Sequence, residues 1–419
     1  LAYHNYSPGF FQLEVERLWK RVWQMACHED DIPNTGDYHV YDIAGLSFLI
    51  VRSAENEIRA FPNVCLHRGR MLKECSGEGA EEFRCPFHGW AWKLNGSLHQ
   101  VPCQWDFPSV GARNYSLPHV KVGRWGGYIF VKENPGGPGI EDYLAPLPQH
   151  FQRWKHEQCT TAIWVGKVVP ANWKVTMEAF MEAWHTVVTH PQLLPFTADE
   201  NSAYWTWGDN INVNLVPFGV MSPHISGAGK QEQWIVDQFI KFNGRSAENY
   251  DASKDAFAVK VPEGTSARRA LGAAMRENYS KAFGHDHSQA TDAELLDALV
   301  YNVFPNFAPW GGFMPNIVYR FRPWGDPDHT LMEVRVLTRV PPNQPIPRGV
   351  PMRFLREEQK WTEAPELGVL GDVFEQDMAN IPHVQQGLKF SKTGEVNLGD
   401  YQEIRIRQFH QTLDKYLEK

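Results

Sequence analysis

Two short runs of metal-ligating residues, Cys65-Leu66-His67 and Cys85-Pro86-Phe87-His88, constrain this chain more than anything else in it. They spell C-x-H and C-x-x-H with seventeen residues between them. Two thiolates and two imidazoles suit a zinc ion, and they equally suit a [2Fe-2S] cluster with cysteines on one iron and histidines on the other. The neighbouring residues favour iron and sulfur. Arg68-Gly69-Arg70 follows the first run and Gly89-Trp90 the second, so each half reads as a turn in which glycine lets the backbone wrap closely. A zinc finger would instead carry both histidines on one helix at the end of its motif.

At 419 residues the chain exceeds one average domain, so two units, or one with an insertion, are expected. A hydrophobic content of 42% with sixteen tryptophans is ample for a globular core. Net charge is −8 and no lysine-arginine run is long enough to track a phosphate backbone, which argues against nucleic acid. No apolar run approaches bilayer length and no signal-peptide pattern is present, so no membrane association and a cytoplasmic location are expected. The chain opens on Leu1 rather than methionine, which leaves open whether residues precede it. Beyond the two motif cysteines, Cys27, Cys75, Cys103 and Cys159 are scattered, which speaks against a disulfide framework. Cys75 reads as a small buried thiol rather than a ligand.

Ser7-Pro8 supplies a cap and first-turn proline for a helix over 8–26, with Phe11, Val15, Leu18, Trp19 and Val22 at helical spacing. From about 35 to 132 the texture turns to short β-like runs: Tyr38–Tyr41, Ser47–Val51, Glu57–Ala60 and Tyr128–Val131. That predicts a small all-β module with the ligand loops at its tips, closed by the Pro/Gly stretch 134–139. Beyond it, strand-like runs at Thr160–Val169, Tyr204–Val216, Ile317–Phe321 and Leu331–Val340 alternate with helical stretches. Among the helices are 285–300, capped by Thr291, and a closing one over 401–417. The fold class is α+β.

The run from Asn172 to Pro191 predicts a helix with Trp173, Met177, Phe180, Trp184, Val187 and Val188 on its apolar stripe and Glu178, Glu182 and His185 opposite. Alone, that polar face reads as solvated surface. His190 lies about 140° from His185 on an ideal helix, so the two share an ion only if the helix breaks, and Pro191 disfavours helical geometry at His190. A non-haem iron site needs a carboxylate as third ligand. Over Gly368–Ile381 the apolar stripe is Leu370, Val373, Phe374 and Ile381, and Asp377 falls within it, where burial without a partner is costly. Asp372 and Glu375 point to the other side. His285-Asp286-His287 offers a competing metal loop, but its glycine-rich polar setting reads as an exposed turn.

Taken together, C-L-H-R-G-R…C-P-F-H-G-W-A-W resembles the cluster motif of the Rieske non-haem iron oxygenases, in the aromatic-ring-hydroxylating dioxygenase alpha-subunit family. Respiratory Rieske proteins are similar but carry an extra cysteine in each cluster loop, and neither Leu66–Arg70 nor Phe87 offers one. His185 and His190 resemble the family's iron-binding pair, and Glu375–Asn380 resembles the segment with the third ligand, which assigns that role to Asp377. Glu182 matches the bridging carboxylate, which in the family hydrogen-bonds an iron-ligating histidine and reaches toward a cluster histidine of the neighbouring subunit. Ala179 and Trp184 stand where the family has asparagine and tyrosine, and aspartate is commoner than glutamate at the bridge. Glutamate there resembles members that oxidise betaine- or carnitine-like ammonium compounds. Asn172 has two readings, tuning of the iron environment or helix capping.

The resemblance implies an all-β Rieske domain (35–150) inserted near the start of a helix-grip catalytic domain (1–34 and 151–419). It also implies a homotrimer, with a beta subunit as an option. Cys65, His67, Cys85 and His88 would hold the cluster, and His185, His190 and Asp377 would hold Fe(II), with Glu182 passing electrons between them. NAD(P)H electrons would arrive through a reductase, with or without a ferredoxin, and O2 would be the co-substrate. Arg68, Arg70, Lys73 and Arg84 either greet an acidic donor or are ordinary surface charge. The leading activity is hydroxylation or dihydroxylation of an aromatic or other hydrophobic small molecule. Monooxygenation or demethylation of a quaternary ammonium or methoxy compound uses the same motifs. An electron-transfer or ligand-carrier protein that keeps only the cluster is the rival from another class.

Overall fold

The computed structural model describes residues 7–225, 231–244, 259–313 and 316–418. Two units emerge: a smaller one of Gln12–Tyr143 with Ile346–Gly349, and a larger one of Leu144–Pro345 and Val350–Lys419 with the opening residues up to Phe11.

Strands of the smaller unit are β1 (Gln24–His28), β2 (Tyr38–Ile43), β3 (Leu46–Ala54), β4 (Glu57–Pro62), β5 (Glu82–Arg84), β6 (Ala91–Lys93), β7 (Leu98–Gln100), β8 (Lys121–Trp125) and β9 (Tyr128–Lys132). They form three three-stranded sheets, β1-β9-β8, β2-β3-β4 and β5-β6-β7, each antiparallel throughout. Leu49, Val51, Phe61, Leu72, Phe83, Trp90 and Trp92 make a core that also takes in Cys65 and Cys85. The ligand loops are therefore rooted in packed side chains rather than carried on free tips. Cys75, expected to be buried, is exposed, as is Cys103.

The opening helix is shorter than its periodicity suggests. Ser7 caps it through its Oγ, which accepts from the Phe10 N–H at 3.2 Å. Pro8–Glu14 continues as a π-helical segment Val15–Trp19 and stops. Residues 24–28 form β1 and pair with β9, so most of the stretch 1–34 belongs with the β unit and not with the catalytic one. All five residues of β1 are buried, its polar ends Gln24 and His28 included, so burial there follows no period that separates strand from helix.

In the larger unit the strands are β10 (Cys159–Val169), β11 (Ala203–Trp207), β12 (Ile211–Val216), β13 (Ala298–Val303), β14 (Phe307–Gly311), β15 (Asn316–Trp324), β16 (Asp326–Arg339) and β17 (Arg353–Leu355). One eight-stranded sheet results, in the order β11-β12-β13-β14-β15-β16-β10-β17. Its pairings are antiparallel except that of β10 with β17. The run Tyr204–Val216, expected as one strand, is a hairpin. Thr291 caps a helix as expected, in a reciprocal capping box with Glu294, but the helix spans only Asp292–Leu296 before the chain enters β13. Helix Trp173–Glu178 packs on β15 and β16. Trp173 meets Phe409 of the closing helix Ile404–Leu417 edge to face at 5.6 Å. This is the expected α+β helix-grip arrangement, with helices against an antiparallel sheet. No helix among the described residues is long and apolar enough to cross a membrane.

Inside the sheet, Glu333 of β16 is 2% exposed and takes hydrogen bonds from Arg320 and Arg322 of β15. Burial would raise its pKa, yet the two guanidiniums more than offset this and hold it far below the usual carboxylate range. A depressed carboxylate contributes stability that is present above its unfolded value and is lost as pH falls below it. Glu333→Gln leaves buried cations without a counter-charge and is expected to cost about 3–5 kcal/mol. Urea unfolding at neutral pH measures that loss, and the gap between variant and wild type should narrow below about pH 4.

Candidate metal centres

The two loops of the smaller unit are copies of one turn. In the first, the Cys65 N–H donates to the Arg70 carbonyl at 2.7 Å and the Gly69 N–H to the Cys65 carbonyl at 3.0 Å. The second repeats this with Cys85 N–H to Trp90 carbonyl at 2.8 Å and Gly89 N–H to Cys85 carbonyl at 3.0 Å. Gly69 and Gly89 sit at φ +77° and +75°, a left-handed conformation that a side chain would strain. Each turn thus presents a cysteine at its base and a histidine near its crest.

Cys65 and Cys85 are both 2% exposed and their thiols lie within hydrogen-bonding reach of each other. Burial, with the neighbouring Cys85 thiol, raises the Cys65 pKa, as expected for sulfurs that need a cation before both ionise. The imidazoles of His67 and His88 face each other at 4.7 Å between ring centroids. His67 stacks on Trp90 at 5.2 Å, and its buried Nδ1 has no hydrogen-bond partner. Burial, then His88 and Arg68, lowers the His67 pKa.

Four donors on one zinc ion would lie within about 4.6 Å of one another, given Zn–S near 2.3 Å and Zn–N near 2.0 Å. Among the described residues one group of three such side chains has its ligand atoms within 4.8 Å of one another, and it lies elsewhere in the chain. The smaller unit instead sorts its donors into a thiol pair and an imidazole pair, which fits two metal ions with cysteines on one and histidines on the other.

That group of three is His185, His190 and Asp377, in the larger unit. The expected single helix from 172 to 190 is two: Trp173–Glu178 and Thr186–Thr189. Between them the Arg405 guanidinium, fully buried, donates to the Met181 carbonyl at 3.0 Å, and the Ala183 N–H donates to the Tyr204 hydroxyl at 3.3 Å. Because the chain breaks there, Trp184 and Val188 leave the predicted apolar stripe and are 51% and 86% exposed. The second helix ends at His190, ahead of Pro191 as expected, and the two imidazoles come to 5.1 Å between centroids.

Asp377 is 5% exposed on helix Val369–Met378. Its Oδ1 lies 3.0 Å from His190 Nε2 and 3.7 Å from His185 Nε2, so one oxygen and two ring nitrogens converge on a point. Glu182 lies behind His185, with Oε1 2.6 Å from Nδ1 and Oε2 accepting the His185 N–H at 3.1 Å. Burial opposes protonation of His185, but Glu182 and then Asp377 hold its pKa above the ordinary value, a site that welcomes positive charge at Nε2. Two imidazoles, one carboxylate and a second carboxylate behind a ligand suit divalent iron with open positions.

An adjoining cleft of about 430 Å³ is lined by His185, Asp377, Glu182, Glu178 and Glu403 with Val175, Ile381, Leu388, Leu398 and Ile406 among its apolar residues. Burial, then Glu182 and Glu178, raises the Glu403 pKa. Against Asp377 also stands an aromatic block, in which Phe180 meets Tyr319 at 5.1 Å, Phe321 at 5.4 Å and Phe374 at 6.1 Å. Complete burial, and then Asp377, raises the Tyr319 pKa.

Asn172 leaves the catalytic set. Its Oδ1 accepts the Lys174 N–H at 3.1 Å as the helix cap, and its Nδ2 donates to the Pro327 carbonyl of β16 at 2.6 Å, so both ends of the amide are engaged in structure. The loop His285-Asp286-His287 gathers no metal group. Asp286 is exposed as expected, but His287 is 2% exposed and bonded to Ser280. Sequence reasoning missed Gln376, which contacts His190, Gln192, which bonds to Gln376, and Arg405, which holds the Met181 carbonyl.

A family model described as "Rieske [2Fe-2S] domain" matches residues 22–111, and one described as "Ring hydroxylating alpha subunit (catalytic domain)" matches residues 149–419. The chain is 31% identical over 186 residues to a glycine betaine monooxygenase oxygenase subunit of Pseudomonas aeruginosa, covering 44% of this chain and 43% of that one. It is 31% identical over 189 residues to the chlorobenzene dioxygenase subunit alpha of a Cupriavidus species, covering 44% and 42%. These matches thus span less than half the length of each relative. A crystal structure of a quaternary ammonium Rieske monooxygenase in complex with L-carnitine is similar in fold, with TM-score 0.65 and 19% identity over 98% of this chain and 93% of that one. With a cluster unit followed by an iron-binding catalytic unit matched over most of its length, the chain belongs to the ring-hydroxylating alpha subunits of the Rieske non-haem iron oxygenases.

Proposed function

We propose that this chain is the terminal oxygenase component of a multicomponent system and that it oxidises a quaternary ammonium compound beside its nitrogen. When bound, the cluster supplies single electrons and the mononuclear iron activates O2. The observation that carries the substrate class is the cleft at His185 and Asp377. Glu178, Glu182 and Glu403 line it among aliphatic side chains, and among the described residues no lysine or arginine does. A cation with an apolar shell gains charge compensation from such a lining, whereas a neutral ring gains none. Several of the relatives oxidise compounds of this kind by name, betaine and carnitine among them.

In this reading His185, His190 and Asp377 hold the iron. Glu182 keeps the proton of His185 on Nδ1 and links that ligand to the electron-delivering cluster of a neighbouring copy in a homotrimer. NAD(P)H electrons enter through a reductase, with or without a ferredoxin. A second reading, hydroxylation of an aromatic ring, draws on the block of Phe180, Tyr319, Phe321 and Phe374 beside Asp377, which suits a flat apolar molecule.

Holoprotein supplied with a reductase and NADH decides between them. With betaine, carnitine and related ammonium compounds set against mono- and bicyclic arenes, oxygen is expected in products of the ammonium set. Diols or phenols from the arenes, with the ammonium compounds untouched, would overturn the substrate assignment.

A further inference from the structure

The two imidazoles of the iron site are backed by chemically different partners. His185 Nδ1 faces the Glu182 carboxylate, whereas His190 Nδ1 lies 2.8 Å from the amide oxygen of Gln376. That same oxygen accepts from Gln192 Nε2 at 2.7 Å, and Gln376 Nε2 donates back to Gln192 Oε1 at 3.2 Å. A ring that presents its Nε2 lone pair to a metal must carry its proton on Nδ1, and Gln376 Oε1 is the acceptor that receives it. Gln376 immediately precedes Asp377 on helix Val369–Met378, and Gln192 follows Pro191 just beyond His190. The amide pair therefore ties together the two segments that carry the most deeply buried ligands.

We propose that Gln376 and Gln192 form a neutral amide clamp that positions His190 as an iron ligand. Its lack of charge, set against the charge of Glu182, makes the two imidazole donors unequal. A carboxylate behind a ligating histidine draws on its ring proton and strengthens the ring as a donor, while an amide fixes the tautomer without doing so. The proposal rests on the reading of His185, His190 and Asp377 as an iron site. Gln376 and Gln192 are positioning residues and touch the iron only through His190.

Three variants test the clamp in holoprotein: Gln376→Leu, Gln192→Leu and Gln376→Glu. The readouts are the rate at which mononuclear Fe(II) is lost to a chelator, the EPR signature of its nitric oxide adduct and the midpoint potential of the mononuclear iron. Cluster absorption serves as the control for folding. Gln376→Leu is expected to lose iron about 10–100-fold faster than wild type, with an altered adduct spectrum. Gln192→Leu should move the same way by less. Gln376→Glu should retain its iron but lower the potential by placing a second carboxylate behind a ligand. Wild-type iron loss and an unchanged adduct spectrum in Gln376→Leu would overturn the clamp, as would a wild-type potential in Gln376→Glu. If wild-type protein takes up no mononuclear iron, the site reading itself fails, and that outcome is distinct because it appears before any variant is made.

Discussion

Asp377→Ala is expected to remove the mononuclear iron while sparing the cluster, so that metal analysis falls from about three irons per chain to about two. The aspartate supplies the only carboxylate in the three-donor group found among the described residues. It is buried, with an oxygen 3.0 Å from His190 Nε2. Without it, two imidazoles face a divalent ion with no carboxylate ligand, and the nearest negative charge is Glu182 behind His185. Product formation should drop to background, while cluster absorption and thermal stability stay close to wild type, because the cluster lies in the other unit. Asp377→Asn keeps an oxygen donor without its charge and should retain iron weakly. Full iron content and turnover in Asp377→Ala would remove this site from the account.

Glu182→Gln should leave both metals in place and slow the passage of electrons to the mononuclear iron. The amide can still accept from His185 Nδ1, so the ligand keeps its orientation and what is lost is the negative charge. Changes behind a metal ligand typically cost about 10–100-fold, and a loss of that order is expected in single turnover, followed as reoxidation of the reduced cluster when substrate and O2 are added. Reoxidation at the wild-type rate would show that Glu182 serves only to cap the short helix Thr186–Thr189 through its contact with the His185 N–H.

The candidate metal ligands stand out in the sequence because several of them break a local rule. Asp377 occupies an apolar position of its helix, and His190 stands before a proline that prevents the helix from carrying it away from His185. The candidate cluster ligands sit in two turns that each place a glycine at positive φ. What stayed hidden depends on contacts between distant segments. The helix break at 179–185 is held by Arg405 and Tyr204, from elements 20 to more than 200 residues away, so periodicity alone placed Trp184 and Val188 in a core they never enter. Gln376 and Gln192 look like ordinary polar surface until the fold brings them together across a separation of 184 residues. The first three residues of β1 fall within the expected helix 8–26, because a strand buried on both faces shows no alternation to reveal its period.

Mössbauer spectroscopy of isotope-enriched holoprotein tests most directly whether one polypeptide carries two distinct iron centres. The predicted result is a cluster component and a high-spin ferrous component with areas of about two to one in the reduced state. The cluster component should itself divide into a thiolate-bound and an imidazole-bound iron. A protein that binds only zinc, or that shows a single iron environment at full occupancy, would contradict the account.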